Sequence, residues 1–355
     1  LTTTLGAGAA ALGALDGAAD FASSVVKYRA GRLADRPARR GPLIVAGYAI
    51  AVLVRPVIAL AGAAWQVIGL RVADRLGKGV RTPPRDALIA DATPLELRGR
   101  AFGLQRGLDH VGAVLGPLTA WLLLTNGWSL RGVIGASLIP GILVLALAVW
   151  AVKDGGGRRG TERDGEGPGA TPSVPLRPSP SLSVFFIASF YLLRMPEALV
   201  ILWAQHLGVP VVQVTLLWAA LHVVKSGTSF WGGALADRLG PERTLALGWT
   251  SYGLVAAACI AASALWHAWT LFLLLGVVAG LTESPERALV ARVAGAQQGT
   301  GFGRYHAATG LAALAGGLAL GATFQHWGAG PAFGASAAAG LVLALTWTVT
   351  VGGGR

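Results

Sequence analysis

The chain has 355 residues, 54% of them hydrophobic and only 13% charged, about half the ~25% charged share of soluble domains. Its 51 glycines follow no collagen period, and its formal charge is +12. Few charges and many small residues exclude a disordered chain, a nucleic-acid-binding arm and an ordinary soluble enzyme, and the single Cys259 excludes a disulfide framework.

A membrane helix needs ~20 apolar residues. Runs of this kind lie at 6–30, 42–63, 65–82, 99–124, 128–152, 182–207, 210–232, 244–264, 268–284, 299–325 and 331–351, eleven in all. The turns after 63, 125, 207, 264 and 327 hold no Lys or Arg, with only Arg131 close by inside a run. The opposite turns hold Arg29, Arg32, Arg36, Arg39 and Arg40, then Arg98 and Arg100, then Arg238 and Arg243. Cationic loops face the cytoplasm, so alternate turns are expected there. Trp65, Trp128, Trp266, Trp269 and Trp327 sit at the uncharged turns, where an outer aromatic belt belongs.

Between the fifth and sixth runs, Gly155 to Ser181 carries a Gly triplet, mixed charges and five prolines. Such a stretch reads as a disordered cytoplasmic linker. It separates an N-terminal bundle at 1–152 from a C-terminal bundle at 182–355, with the linker at 153–181.

The two halves repeat. Gly31-Arg-Leu-Ala-Asp-Arg36 matches Gly233-Ala-Leu-Ala-Asp-Arg238 at an offset of 202. Arg85-Asp-Ala-Leu-Ile-Ala-Asp91 matches Glu286-Arg-Ala-Leu-Val-Ala-Arg292 at 201, and Ala101-Phe-Gly103 matches Gly301-Phe-Gly303 at 200. Colinear matches at near-constant offset indicate a duplicated bundle. Ser181 to Gly233 has room for two helices where Leu1 to Gly31 has room for one, so the expected plan is six plus six with the first helix absent from this chain.

Two six-helix halves with Gly-x-Leu-x-Asp-Arg after the second helix of each resemble the major facilitator superfamily, over almost the whole chain. Gly31-x-Leu33-x-Asp35-Arg36-x-Ala38-Arg39-Arg40 resembles the family's loop motif, with Ala38 in place of its second Gly; the copy at Gly233, Asp237 and Arg238 degenerates after Gly240. Arg75-x-x-x-Gly79 resembles the family's membrane-embedded Arg motif. Gly112-x-x-x-Gly116-Pro117 resembles the motif of proton-coupled exporters, without its trailing glycines. The segment from Asp74 to Asp86 is similar to a little-characterised bacterial subgroup. Physically, Gly31 and Gly233 permit a tight helix exit, and Asp35 and Asp237 can accept bonds from a neighbouring helix N-terminus or an Arg. The competing readings are basic turns that only obey the topology rule and, for Gly112, Gly116 and Pro117, a mere close helix contact.

Ionisable residues inside a span usually face a cavity or a partner. At ~100° per residue, Arg71, Asp74, Arg75, Lys78 and Arg81 share about one third of the third run's surface. That run is expected to break at Thr82-Pro83-Pro84, and its counterpart at Ser284-Pro285, since Pro lacks the N–H donor. Interrupted helices at matching places in two repeats would mark a transport pathway. Asp16, Asp20, Ser23 and Lys27 share one face of the first run, with His222, Lys225, Ser226 and Ser229 as the equivalent stripe. Arg106, Asp109 and His110, Arg194 and Glu197 around Pro196, Glu283 and Arg304 complete the pathway candidates. Cations outnumber acids among them, which points to an anionic solute near Arg71, Arg75 and Lys78; Asp20 and Glu197 are candidates to carry a coupling proton. For Asp16 a structural pair with Arg55 competes, for Lys27 and Arg304 snorkelling to the cytoplasm, and for His222 and His306 a hydrogen-bonded structural role.

The fold class expected is an all-α membrane protein with two pseudo-symmetric six-helix bundles. The resemblance implies a secondary transporter working by alternating access in a bacterial cytoplasmic membrane, with proton-coupled export of a small anionic or zwitterionic organic solute as the leading reading. A proton-coupled importer of an organic anion and a non-transporting truncated paralogue or sensor are the alternatives. No nucleophile–base pair, HExxH helix, phosphate-binding Gly-Lys loop or zinc spacing occurs, so enzyme chemistry, cofactors and metals are not expected. A proton gradient would supply the energy. The expected partners are the lipid bilayer and the small-molecule solute, without nucleic acid, for a monomeric protein.

Overall fold

The computed structural model describes the backbone of residues 9–162 and 178–352, and the side chains of 22–63, 65–153 and 178–351. Among the described residues all regular structure is helical. The elements are α1 (Ala9–Ala34), α2 (Pro37–Val57, prolonged by a 3-10 turn at Ile58–Leu60), α3 (Ala64–Ala92), α4 (Arg98–Thr125), α5 (Leu130–Ala136) and α6 (Leu138–Glu162). After the undescribed stretch come α7 (Pro180–Leu193), α8 (Glu197–His206), α9 (Val211–Leu239), α10 (Pro241–Ile260), α11 (Leu265–Val293), α12 (Gln298–Trp327) and α13 (Ala329–Gly352). With α5–α6 and α7–α8 each counted as one interrupted span, every expected run coincides with a helical segment. Eight of these segments are long and apolar enough to cross a membrane. The amphipathic α3 falls short of that composition because charges recur along it from Arg71 to Asp91. Of the five belt candidates, Trp65, Trp128, Trp266 and Trp327 are exposed and Trp269 is half-buried.

Contacts divide the chain into two compact units that interleave along the sequence. One comprises Leu1–Leu88, Ala120–Arg177 and Ala296–Ala307; the other comprises Ile89–Thr119, Pro178–Gly295 and Ala308–Arg355.

In the first unit α2 packs on α6 and α1. Small residues bring helices together: a Cβ on Gly47 of α2 would stand 2.6 Å from the Gly77 carbonyl of α3, and one on Gly79 would stand 3.0 Å from the Ser23 carbonyl of α1. Apolar membrane surroundings give little hydrophobic drive between helices, so close van der Waals contact of this kind holds the bundle. The Ser23 hydroxyl adds a bond to the Arg75 carbonyl at 3.1 Å.

In the second unit α9 lies along α11, and α10 along both α11 and α13. An aromatic cluster fills the space between α7, α10 and α13. Phe190 stacks on Trp249 at 5.7 Å, Trp249 meets Trp347 edge-on at 5.5 Å, and Trp347 meets Phe186 at 5.1 Å. Each such pair contributes ~0.5–1.5 kcal/mol beyond area burial. Trp347 donates its indole N–H to the Glu242 carbonyl at 3.0 Å, so the polar edge of the cluster is satisfied.

Three expectations need correction. First, α3 runs unbroken through Pro83 and Pro84, and α11 through Pro285. Each proline removes one donor, but Pro83, Pro84 and Pro285 are all buried, and the neighbouring helices packed against them hold the helical geometry. Second, the linker is shorter than 153–181. α6 continues to Glu162 and α7 begins at Pro180, because helix propagation tolerates Gly at ~1 kcal/mol each and Ser179 caps the new N-terminus. Residues 163–177 lie outside the described residues. Third, the breaks fall elsewhere: the fifth span is split at Ser137, and the sixth leaves helical geometry at Arg194-Met195-Pro196. Arg194 is extended (φ −75°, ψ 130°), and Pro196 caps α8. The break is braced from both sides. Met195 N–H donates to the Tyr252 hydroxyl at 2.7 Å, the hydroxyls of Tyr252 and Ser336 lie 2.5 Å apart, and Ser336 donates to the Leu193 carbonyl at 2.6 Å.

Candidate functional site

The duplicated loop motifs build duplicated seams. In the first unit Gly31 near the end of α1 meets the first turns of α12: a Cβ on Gly31 would lie 2.5 Å from the Gly299 carbonyl and 2.6 Å from the Cα of Gly303. Asp35, just past α1, accepts the Thr300 backbone N–H at 2.9 Å and also the Thr300 hydroxyl. In the second unit Gly233 and Gly103 form the matching crossing of α9 with α4, and a Cβ on Gly103 would lie 2.6 Å from the Ser229 carbonyl. Asp237 accepts the N–H groups of Gly99 and Arg100 at 2.6 and 3.0 Å. A carboxylate at a helix N-terminus meets orphan donors and the positive end of the dipole, so both seams are electrostatic caps on close glycine crossings. Arg36 and Arg238, the last residues of the two motifs, are exposed and outside these bonds. Arg40 is buried instead, donating to the Ala34 carbonyl at 2.6 Å. Arg98 ties α4 to α11 through the Ala291 carbonyl at 2.8 Å.

Deeper along α4, Arg106 donates through Nε to Glu283 of α11 at 2.7 Å and bonds Asp109 at 3.1 Å. His110 Nε2 stands 3.5 Å from the same Glu283 carboxylate, and its ring meets His222 of α9 at 5.3 Å. His222 contacts the Trp218 carbonyl at 3.0 Å. Lys225, buried on α9, pairs with Glu197 at the start of α8. Tyr191 donates to Glu286 at 3.1 Å. Arg194 lies with its guanidinium carbon 4.9 Å from the Tyr191 ring centre and 5.9 Å from that of Phe190. One polar cluster of the second unit therefore gathers Arg106, Asp109, Arg194, Glu197, His222, Lys225 and Glu283, seven of the sequence candidates. Buried charges are costly alone; here Arg106, Glu197, Lys225 and Glu283 are paired, while Arg194 lies over aromatic rings.

The first unit holds a smaller counterpart. Asp86 of α3, with 0% exposure, meets His306 Nε2 of α12 at 2.7 Å and Arg85 at 3.1 Å. The repeat aligns Asp86 with Arg287 and His306 with Arg106. Each unit thus has a buried acid on one long helix (α3 or α11) opposite a base on another (α12 or α4), with the roles carried by different residue types.

The charged face of α3 lies in the first unit. Asp74 pairs with Arg55 of α2 at 2.8 Å, so Arg55 has a partner other than Asp16. Arg81 lies over the Tyr48 ring at 4.3 Å, while Arg71 and Lys78 are exposed and Arg75 is half-buried. Lys27 is half-buried and Arg304 exposed. The side chains of Asp16 and Asp20 lie outside the described residues. Gly112 and Gly116 face open space, where a Cβ would meet nothing within 4 Å, so neither makes a close helix contact among the described residues. Among the described residues no three His, Cys, Asp or Glu side chains are placed to hold a metal. Sequence reasoning missed Tyr191, Glu286 and the pairing of Asp86. The signal was the charge-swapped repeat, Arg85-Asp86 against Glu286-Arg287.

The family model of the Major Facilitator Superfamily matches residues 1–296 and 195–352. An uncharacterised protein of Mycobacterium tuberculosis is 37% identical over 151 residues, 42% of this chain and 37% of the relative. The match thus spans little over a third of the length of that curated relative. An uncharacterised MFS-type transporter of Methanocaldococcus jannaschii is 25% identical over 335 residues, 90% of this chain and 81% of the relative. The multidrug resistance protein MdtH of Photorhabdus laumondii is 34% identical over 146 residues, 41% of this chain and 35% of the relative. In fold, the proton:xylose symporter XylE superposes with a TM-score of 0.72 at 15% identity, over 96% of this chain and 86% of that one.

Proposed function

The chain belongs to the Major Facilitator Superfamily, a family of secondary transporters of multi-pass membrane architecture, and from that premise we propose that it exports a small anionic or zwitterionic organic solute in exchange for protons. The observation that carries the reading is the pair of buried acid–base contacts, Glu283 with Arg106 and His110, and Asp86 with His306. Each joins helices from different sequence halves, so alternating access must open it. Removing one partner of a buried pair costs ~3–5 kcal/mol. A proton on the carboxylate or a bound ion offsets that cost, and this links opening to occupancy. Export is favoured over import by the Gly112-x-x-x-Gly116-Pro117 resemblance and by the similarity to a multidrug resistance protein. We place the protein in a bacterial cytoplasmic membrane, with the Asp35 and Asp237 ends inside, as a monomer that needs no cofactor beyond the proton gradient.

The test uses proteoliposomes with an imposed pH gradient and a panel of labelled organic acids and amino acids. The expected result is uphill movement against the proton flow. Glu283→Gln and Asp86→Asn should lose accumulation while retaining solute counterflow, which also shows that both variants fold. Full accumulation in both variants sinks the coupling, and solute moving with the protons replaces export by import.

A further inference from the structure

We propose that Arg194 is the anchor for a carboxylate group of the transported solute, an inference that rests on the transporter reading and names its binding contact. Arg194 sits at the break between α7 and α8, where the chain leaves helical geometry, and the fields of Glu197, Glu283 and Glu286 reach its guanidinium. The break is held in place by Tyr252 and Ser336, which are 2% and 1% exposed. The backbone beneath Arg194 is therefore a fixed mount.

The guanidinium is stacked and not ion-paired. Its neighbours are the rings of Tyr191 and Phe190, and no described side chain lies within ion-pair or hydrogen-bond distance of it. The carboxylates whose fields reach it are engaged elsewhere: Glu197 by Lys225, Glu283 by Arg106, and Glu286 by the Tyr191 hydroxyl. Stacking occupies the flat face of a guanidinium and leaves its edge N–H donors open. Two parallel edge donors match the two oxygens of a carboxylate. Side-chain ordering is already met by the aromatic shelf, so a ligand gains the contact without fixing a free arginine. Lys225 and Arg106 each hold a carboxylate already, and Arg287 bonds the Glu283 carbonyl at 2.6 Å, whereas the Arg194 guanidinium meets only aromatic rings among the described residues.

The experiment measures binding, with no gradient, on the purified full chain in lipid nanodiscs. The probes are benzoate, succinate and glutamate, each beside its amide: benzamide, succinamide and glutamine. At least one carboxylate should raise the thermal unfolding midpoint in a saturable way while its amide does not. Arg194→Lys keeps the charge and loses the fork, and should weaken that carboxylate about tenfold, as expected for one charge-assisted bond of ~1.5 kcal/mol. Arg194→Gln should abolish the shift. Arg131→Gln, at an exposed position of α5, should leave it unchanged. If Arg194→Gln does not fold, Arg194→Lys decides. The proposal is overturned if no carboxylate stabilises the wild-type protein, or if Arg194→Lys and Arg194→Gln bind as wild type does. Gradient-driven flux is read separately, so loss of the Arg194 contact leaves the transport reading standing on its own data.

Discussion

Replacing Asp237 by Ala should loosen the seam between α4 and α9. The carboxylate accepts two backbone N–H groups at 2.6 and 3.0 Å, lies 3.7 Å from Arg100 Nε, and is only 7% exposed. Loss of a helix cap costs ~0.5–2 kcal/mol, and charge-assisted bonds lie toward the upper end. About 1–2 kcal/mol is therefore lost from the closed seam and not from the opened one, a roughly 5- to 30-fold shift in its opening equilibrium. Ala288, 6% exposed, lines a cavity of about 180 Å³ with Arg98, Gly99, Asp237 and Arg292. A cysteine at Ala288, in a Cys259→Ala background, reports opening through its rate of maleimide labelling. Asp237→Ala should raise that rate by the factor above, and Asp237→Asn, which keeps an acceptor without the charge, by about threefold. Rates within twofold of the parent for both variants would show that the cap does not hold the seam.

Tyr252→Phe strips the brace at the α7–α8 break of an acceptor for Met195 N–H and a donor or acceptor for Ser336. It should cost ~1–3 kcal/mol in unfolding and speed amide exchange at Met195; unchanged exchange would show that the break holds itself. For orientation, cysteines at exposed Ser263 and Arg39 should respond oppositely to an impermeant thiol reagent in intact cells, with Ser263 labelled and Arg39 protected. Labelling of both positions to the same extent would reject the assignment of sides.

The helical spans were legible because apolar run length dictates them, yet their basic ends were read short. Hydropathy stops where charge begins, but α3, α9 and α11 continue past Thr82, Gly232 and Ser284 to Ala92, Leu239 and Val293. Arg, Leu and Ala are all good helix formers, and the neighbouring helices bury the polar turns. The prolines at 83, 84 and 285 misled for the same reason: loss of a donor weakens an isolated helix, while packing on all sides holds a buried one in shape. Asp35 and Asp237 could be identified as cap residues from the repeat, whereas which helix each would cap depends on tertiary packing. Arg55 illustrates the limit of depth arguments. Asp16 and Asp74 lie on neighbouring helices, and register along α3 decided for Asp74 at 2.8 Å. Arg194 was picked out as a charge near a proline, but its aromatic shelf comes from Phe190 and Tyr191, whose orientation only the broken helix sets.

The ring of bonds through Leu193, Met195, Tyr252 and Ser336 also bears on how the second unit can move. A bare Pro-associated break is a swivel, since the chain there has no ladder bonds to resist torsion. Here the loose carbonyl and amide are each fastened to a different helix, the carbonyl to α13 through Ser336 and the amide to α10 through Tyr252. Any twist of α7 against α8 must stretch both fastenings at once, in surroundings with little water to replace them. The elbow is consequently stiff, and α7, α10 and α13 turn together as one lever arm.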